Sequence, residues 1–172
     1  MSTQRTGAVM FLVAIIGFVV LMVVLFSREL DLRRNPNQVV QSVSTGAGHP
    51  AIVLERNRFG HYVATGWING VEAECMLDTG ATDVAVSAAM ARAAGLRPGP
   101  AIVVSTANGM ITAYTTVIDE IRLGDLVERD VRATIVPNLD DGQILLGMSF
   151  LKRLDFSQRG NRLVLQARGA RR

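Results

Sequence analysis

Residues 75–82 read Cys-Met-Leu-Asp-Thr-Gly-Ala-Thr, and they are the most informative stretch of this chain. An apolar run ends in Asp78, which is followed by a hydroxyl residue and then by a glycine. Gly80 lets the backbone turn sharply and offers its N–H to the carboxylate, while the Thr79 hydroxyl can donate inside the structure and hold the loop rigid. The pattern therefore predicts a carboxylate at the tip of a tight turn, although Asp-Thr-Gly is also ordinary turn chemistry.

Short β-branched runs and turn pairs surround this stretch from residue 51 onward, which is typical of a mainly β domain. Two pairs of predicted strands, 62–68 with 71–77 and 102–107 with 110–118, flank the dipeptides Asn69-Gly70 and Asn108-Gly109. Asn-Gly accepts positive φ at both turn positions, so each pair predicts a two-residue type I′ hairpin.

Further strands are predicted at 121–123, 131–136, 144–146 and 163–166. Ser87 is a suitable N-cap for a short helix over residues 88–94, which Gly95 then ends. Together these elements predict a small closed β structure with one or two short helices.

Residues 8–26 form nineteen consecutive uncharged positions, long enough for a helix that crosses the hydrocarbon core of a bilayer. A cleaved signal peptide is the alternative, but the run ends in Leu-Phe-Ser-Arg-Glu without a small-x-small cleavage site. We therefore interpret it as a transmembrane anchor, preceded by a short tail of residues 1–7. Arg5 lies on one side of the span and Arg28, Arg33 and Arg34 lie on the other, so charge counting leaves the orientation open.

The polar residues 27–49 contain Asn35-Pro36-Asn37 and show no sustained period of a helix or strand. They predict a flexible tether that spans on the order of 25 Å. Residues 50–172 are then the folded domain.

Composition excludes several classes of site. Cys75 is the only cysteine, which excludes an internal disulfide and a cysteine-ligated zinc site. His49 and His61 are the only histidines, and neither lies near a nucleophile turn. The net charge is +3, and no basic block is interleaved with aromatic residues as a nucleic-acid groove requires.

Hydrophobic-hydrophobic-Asp-Thr-Gly-Ala at residues 76–81 resembles the signature of retropepsins, the single-lobe aspartic proteases, and the resemblance runs over about residues 62–165. In that family a hairpin flap follows the active-site loop, and residues 105–112 around Asn108-Gly109 match it. A later hydrophobic-hydrophobic-Gly element precedes a short helix, as Leu145-Leu146-Gly147 does before residues 148–153. With its N-terminal helix, the chain is similar to the bacterial membrane-anchored branch.

The resemblance implies a retropepsin-like closed β-barrel and an aspartic endopeptidase with Asp78 as the catalytic residue. It implies an active-site loop of Thr79, Gly80 and Ala81, and substrate contacts from Thr82, Asp83, Asn108, Gly109, Met110 and Ile111. It implies neither a cofactor nor a metal. For a bacterial member it also implies a single pass through the inner membrane, with the protease domain in the periplasm.

Two positions depart from the viral members of the family. Those usually have an acidic residue directly after the Ala and an Arg after the later Gly, which pair in the folded enzyme. Thr82 and Met148 occupy these places here. The joint loss leaves no unpaired buried charge, but it puts in doubt the backbone contacts to substrate near Asp83.

Peptide hydrolysis of this kind needs two carboxylates, and the chain has one suitable loop. Asp140-Asp141-Gly142 lacks the apolar strand and the hydroxyl residue, and Asp155-Phe156-Ser157 lacks the glycine. A twofold homodimer supplies Asp78 twice. The predicted partners are thus a second copy, a peptide or protein substrate, and the membrane through the N-terminal helix, but no nucleic acid. The alternative function is a catalytically silent module that binds peptides or dimerises at the membrane.

Overall fold

The computed structural model describes residues 2–44, 50–106, 109–139 and 142–168. The elements, in chain order, are α1 (Ser2–Arg34), β1 (Gln41–Ser44), β2 (Pro50–Glu55), β3 (Val63–Ile68), β4 (Val71–Leu77), β5 (Val84–Ser87), α2 (Ala88–Ala93), β6 (Ala101–Thr106), β7 (Gly109–Leu123), β8 (Leu126–Val136), β9 (Gln143–Leu146), α3 (Met148–Leu151), β10 (Leu154–Arg159) and β11 (Arg162–Ala167).

A closed barrel forms the centre of the domain. Its sheet has the order β3-β4-β9-β5-β8-β7-β6, and β3 also pairs with β7 through Ile68 and Ile121, which joins the ends of the six-stranded part. The interior is filled by fully buried aliphatic side chains such as Ile118, Ile144 and Leu146. The predicted mainly β fold with a closed barrel is confirmed, and so are the short helices α2 and α3.

Local sequence signals placed several elements correctly. Asn69 (φ 48°) and Gly70 (φ 83°) both have positive φ, as the type I′ hairpin between β3 and β4 requires. Ser87 caps α2, because its Oγ accepts a hydrogen bond from the Met90 N–H at 3.1 Å. Asn108, in the second predicted hairpin, lies outside the described residues.

A second sheet packs against the barrel in the order β1-β2-β11-β10. Alternate residues of its strands face the core, among them Ile52, Leu54 and Leu165, which are fully buried. These side chains belong to the same hydrophobic core as the barrel residues. The barrel and this sheet therefore share one core.

Helix α1 contains the predicted apolar span and extends beyond both of its ends. Within Val9–Arg34, a stretch of eighteen residues has a mean hydropathy of 3.3, and none of that stretch is buried against the rest of the chain. A helix with a continuous exposed apolar surface is long and apolar enough to cross a membrane.

The prediction of a flexible tether over residues 27–49 is wrong for the part that the structure describes. Residues 27–34 are the last two turns of α1, and Gln41–Ser44 form β1, paired with β2. Between them Asn35 and Asn37, which we call the asparagine latch, are 5% and 4% exposed. Residues 45–49 lie outside the described ranges.

The asparagine latch connects α1 to the barrel by side-chain hydrogen bonds. Asn37 Oδ1 accepts from the Glu55 N–H (2.7 Å), and its Nδ2 donates to the carbonyls of Glu55 (2.9 Å) and Val63 (2.6 Å). Asn35 Nδ2 donates to Thr65 Oγ1 at 3.1 Å. Buried amides with this many partners hold a segment in place, so α1 is joined to the barrel without a flexible linker.

Candidate active site

Asp78 lies directly after β4, at the tip of a turn. Its N–H donates to the carbonyl of Leu146 (3.1 Å), and its carbonyl accepts from the Ala81 N–H (3.3 Å). The Gly80 N–H donates to Asp78 Oδ1 at 2.8 Å, the contact that the sequence predicted. It is the only hydrogen bond to this half-buried carboxylate from the described residues. The carboxylate is therefore positioned by backbone and accessible to solvent.

The start of α3 braces the active-site loop from behind. Parallel pairing of β4 with β9 places Leu77 opposite Leu146, so the residues that follow each strand lie side by side. The Met148 N–H then donates to the carbonyl of Ala81 (2.8 Å), and the Ser149 N–H donates to the carbonyl of Thr82 (2.9 Å). The loop is thus held at both ends.

Gly147 allows this close approach. A Cβ atom built on it would lie 2.2 Å from the Asp83 carbonyl oxygen and 2.6 Å from that of Ala81, and both are backbone atoms that cannot move aside. Only a residue without a side chain fits between α3 and the loop. This explains why the Leu145-Leu146-Gly147 element matters for the geometry around Asp78.

Ser149 is a buried junction that the sequence reasoning missed. Its Oγ accepts from the Val84 N–H at 3.0 Å and donates to the carbonyl of Arg132 at 2.7 Å. It thereby connects the end of the active-site loop to α3 and to β8. Its partners lie 65 and 17 positions away in the chain, and no local pattern signals such a contact.

Asp83 is engaged by an ion pair rather than free. Arg132 Nε donates to its Oδ1 at 2.8 Å, with the Arg132 side chain 59% and the Asp83 side chain 20% exposed. Thr82 is exposed and Met148 is half-buried, and neither side chain carries a charge, so no ion pair joins the two positions that depart from the viral pattern. The Asp83–Arg132 pair occupies the end of the same loop.

The predicted flap corresponds to the hairpin of β6 and the first part of β7. Val104 pairs with Ile111, and Thr106 Oγ1 donates to the carbonyl of Gly109 at 2.8 Å. Met110 is 75% exposed at the tip, and Ile111 is half-buried. Among the strands that the structure describes, β6 pairs only with β7, so this hairpin protrudes from the barrel.

Other chemical groups lie apart from Asp78 or are inert. Cys75 is buried, and burial, followed by the charge of Glu74, raises the pKa of its thiol to about 12, so it stays protonated. Asp155, on β10, forms an ion pair with Arg168 at 2.9 Å. Asp140 and Asp141 lie outside the described residues. Among the described residues, no group of three His, Cys, Asp or Glu side chains is placed to hold a metal ion.

A cleft of about 600 Å³ lies at the junction of α1 with the barrel, not at the active-site loop. Arg34, Trp67 and Glu74 are among the residues that line it, and Asp78 is not. The Arg34–Glu74 ion pair, at 3.1 Å, crosses it. Beside the half-buried Asp78, Thr79 and Gly80 are exposed in a single copy.

Comparisons with known proteins agree with this geometry. A family model described as gag-polyprotein putative aspartyl protease matches residues 64–153, from β3 to just after α3. An uncharacterized protein in the cobV 5′ region of a Sinorhizobium species is 30% identical over 169 residues, which cover 91% of this chain and 72% of that protein.

Two solved structures are also similar. A retropepsin-like aspartic protease from Rickettsia conorii superposes with a TM-score of 0.57 and 25% identity, covering 74% of this chain and 94% of that one. The protease of EIAV in complex with the inhibitor HBY-793 has a TM-score of 0.45 and 17% identity, covering 56% of this chain and 89% of that one.

Proposed function

Since this chain belongs to the family of retropepsin-like aspartic proteases, we propose that it is a membrane-anchored aspartic endopeptidase that acts as a homodimer. In this proposal Asp78 of each copy contributes one carboxylate to a shared site on the twofold axis. Residues 8–26 are the membrane span, 1–7 a short tail and 50–172 the protease domain. No cofactor enters the reaction.

The observation that carries the proposal is the placement of Asp78. Its carboxylate stands at the tip of a turn that Leu146, Met148 and Ser149 hold in place through backbone hydrogen bonds. One oxygen accepts the Gly80 N–H, and the other has no hydrogen-bond partner among the described residues. A binding module has no need for a braced, accessible acid at this position, whereas a hydrolase does.

The chemistry explains the need for a second carboxylate. The ionised aspartate takes a proton from a water molecule as the water oxygen forms a bond to the carbonyl carbon, and the protonated aspartate gives its proton to the carbonyl oxygen. As the C–N bond of the tetrahedral intermediate breaks, the aspartate that took the proton from water gives it to the leaving nitrogen, and a hydroxyl of the intermediate returns its proton to the other aspartate. Two carboxylates at contact distance cannot both be ionised, so the pair shares one proton.

The geometry best supports a second copy of the chain as the source of the second carboxylate. Thr79 and Gly80 are exposed beside Asp78, and the Thr79 hydroxyl has no hydrogen-bond partner in the described part of the chain. An isologous contact at this loop would cover both residues and bring the two Asp78 side chains together. Anchoring both copies in one membrane raises their effective concentration and favours that contact.

The experiment compares the full chain with Asp78→Asn and Asp125→Asn in detergent or vesicles, using a mixed peptide library at acidic to neutral pH. Asparagine still accepts the Gly80 N–H but cannot exchange the proton, so we expect at least about 100-fold loss of cleavage. Asp125 is exposed in the β7–β8 turn, so its variant should cleave like the parent. A statine inhibitor should slow the parent.

A folded parent that cleaves nothing, or an Asp78→Asn variant that cleaves as fast as the parent, would refute the protease. A peptide-binding or dimerisation module would then be the better description. Thermal unfolding of each variant shows whether a loss of cleavage is a loss of fold.

We further propose that α1 crosses the inner membrane of a bacterium and that the domain faces the periplasm; the apolar span supports the anchor, and the two relatives come from bacteria. Protease added to intact spheroplasts should digest the domain if it faces outward. Protection until the membrane is permeabilised would place it in the cytoplasm.

A further inference from the structure

The joint between α1 and the barrel fixes which end of the barrel faces the membrane. Asn35 N–H donates to the carbonyl of Asp31 at 2.8 Å, which continues the helical bonding, and Asn57 Nδ2 donates to the carbonyl of Arg34 at 2.9 Å. The asparagine latch comes directly after this last helical turn in the chain. The barrel is therefore attached directly to the last turn of the helix.

The strand register gives the direction. Asn37 forms a parallel bridge with Ala64, and the Thr65 N–H donates to the carbonyl of Asn37 at 3.1 Å. The chain arrives at Asn37 from α1, so β3 runs away from the helix as residues 35–37 do. Residues 56–61, which precede β3, consequently lie on the helix side of the barrel.

The β10–β11 turn lies at the same end. The Arg56 N–H donates to the carbonyl of Asn161 at 2.9 Å, and Arg162 pairs with Glu55 at 3.6 Å. We call residues 56–61 and 159–162 together the basal loops. Both loops are thus at the level where α1 ends.

Helix geometry sets how far this end is from the bilayer. With the hydrocarbon core ending at Phe26, residues 27–34 add about 12 Å at 1.5 Å per residue. The headgroup region of one leaflet is roughly 5–8 Å thick. A loop that extends back from Arg34 by only a few ångströms meets the headgroups.

The basal loops have the composition of a lipid-contact surface. Phe59 is 59% exposed, and the Arg58 guanidinium stacks over its ring at 4.5 Å from the centroid. Arg58, Arg159 and Arg162 are exposed basic residues, whereas Glu55 is the one acidic neighbour paired there. Arginine attracts anionic headgroups, and an aromatic ring is stable at the interface between headgroups and acyl chains.

We propose that the basal loops bind the anionic phospholipid headgroups of the membrane in which α1 is anchored, with Phe59 inserted at the interface. The barrel then rests on the bilayer in one orientation, with the flap hairpin at the far end of β7. This inference depends on the proposed membrane anchor, and its test does not require catalytic activity.

The test places the full chain in nanodiscs with or without anionic lipid, carrying a fluorophore at Phe59→Cys or Val103→Cys. Val103 is 65% exposed on β6, which pairs with the end of β7 remote from the β7–β8 turn. The native Cys75 is buried and stays unlabelled in the folded chain. Spin-labelled lipid headgroups are the quencher, and labelling the parent gives the blank.

We expect the label at position 59 to be quenched in anionic discs and the label at 103 to be unaffected. Quenching at 59 should be lost in high salt, which shortens the screening length to about 3 Å, and in the variant Arg58→Glu/Arg159→Glu. Equal quenching at 59 and 103, or quenching at 59 that ignores lipid charge, salt and charge reversal, would overturn the lipid contact. A chain that does not stay in the discs would refute the anchor itself, whereas catalytic failure leaves this result untouched.

Discussion

Ser149 shows how a single hydroxyl can support the loop that carries Asp78 without touching Asp78 itself. It accepts from the Val84 N–H and donates to the carbonyl of Arg132, and its residue is 3% exposed. Removing the hydroxyl takes this acceptor from the buried Val84 N–H and this donor from the Arg132 carbonyl. This one hydroxyl therefore contributes more to the stability of the fold than its size suggests.

We expect Ser149→Ala to lower the free energy of unfolding by about 1–3 kcal/mol, because the Val84 N–H stays buried and unsatisfied. Denaturant unfolding of the full chain in detergent measures this. The control is Ser157→Ala at an exposed position of β10, which should change stability by less than about 0.5 kcal/mol. Equal effects of the two changes would contradict the role of Ser149.

Cys75 makes the free energy of unfolding depend on pH. Burial raises the pKa of its thiol from the ordinary 9.0 to about 12 in the folded chain. Below pH 9 both the folded and the unfolded chain keep the proton. Between pH 9 and 12 only the unfolded chain loses it, so the free energy of unfolding falls as the pH rises.

Between pH 8 and pH 10 the parent should therefore lose about 1.4 kcal/mol more stability than Cys75→Ala, measured by denaturant unfolding at each pH. The alanine variant has a constant deficit from its smaller side chain, which cancels in the difference between the two pH values. Parallel pH profiles for parent and variant would show that the thiol is not shielded as the structure indicates.

Residue-scale prediction worked where the contact is local. Gly80 donates to Asp78 two positions away, and Ser87 accepts from Met90 three positions away, so the spacing alone suffices. The Asp83–Arg132 pair joins residues 49 positions apart, and either charge alone resembles a solvated surface residue. Such contacts depend on strand order, which one sequence does not specify.

At the scale of elements, the largest difference concerns the segment after the apolar span. Asn-Pro-Asn is typical of a turn or linker, because asparagine satisfies its own backbone in irregular structure. Here Asn37 instead bonds to Glu55 and Val63, in strands that lie far along the chain. The sequence of residues 27–49 shows no sustained hydrophobic period, but the prediction that the segment is unstructured is wrong.

The asparagine latch predicts a sharp isosteric effect. Asn37→Asp keeps the acceptor for the Glu55 N–H but turns an oxygen toward two carbonyls, so we expect a loss of about 2–4 kcal/mol at neutral pH. Gln38→Glu is the matched control, since Gln38 is exposed next to it. Thermal unfolding of both variants tests whether Asn37 is a buried latch. A buried latch is destabilised by Asn37→Asp but not by Gln38→Glu, whereas a surface linker would tolerate both changes.

For the whole molecule, the proposed dimer makes a quantitative prediction about mixtures. If the parent chain pairs at random with a threefold excess of Asp78→Asn, only about one parent chain in four meets another parent. Cleavage per parent chain should thus fall to roughly a quarter. A threefold excess of Asp125→Asn should raise total cleavage instead, and a rate that ignores the inert chain would show that one copy suffices.

The bracing of the active-site loop also has a consequence for biosynthesis. Asp78 leaves the ribosome early, but the carbonyl of Leu146 and the amides of Met148 and Ser149 that position its loop follow about seventy residues later. Pairings between distant parts of a chain close late in folding. The loop around Asp78 therefore takes its folded geometry only after residues 146–149 have left the ribosome, and the proposed hydrolase activity would begin only after that point.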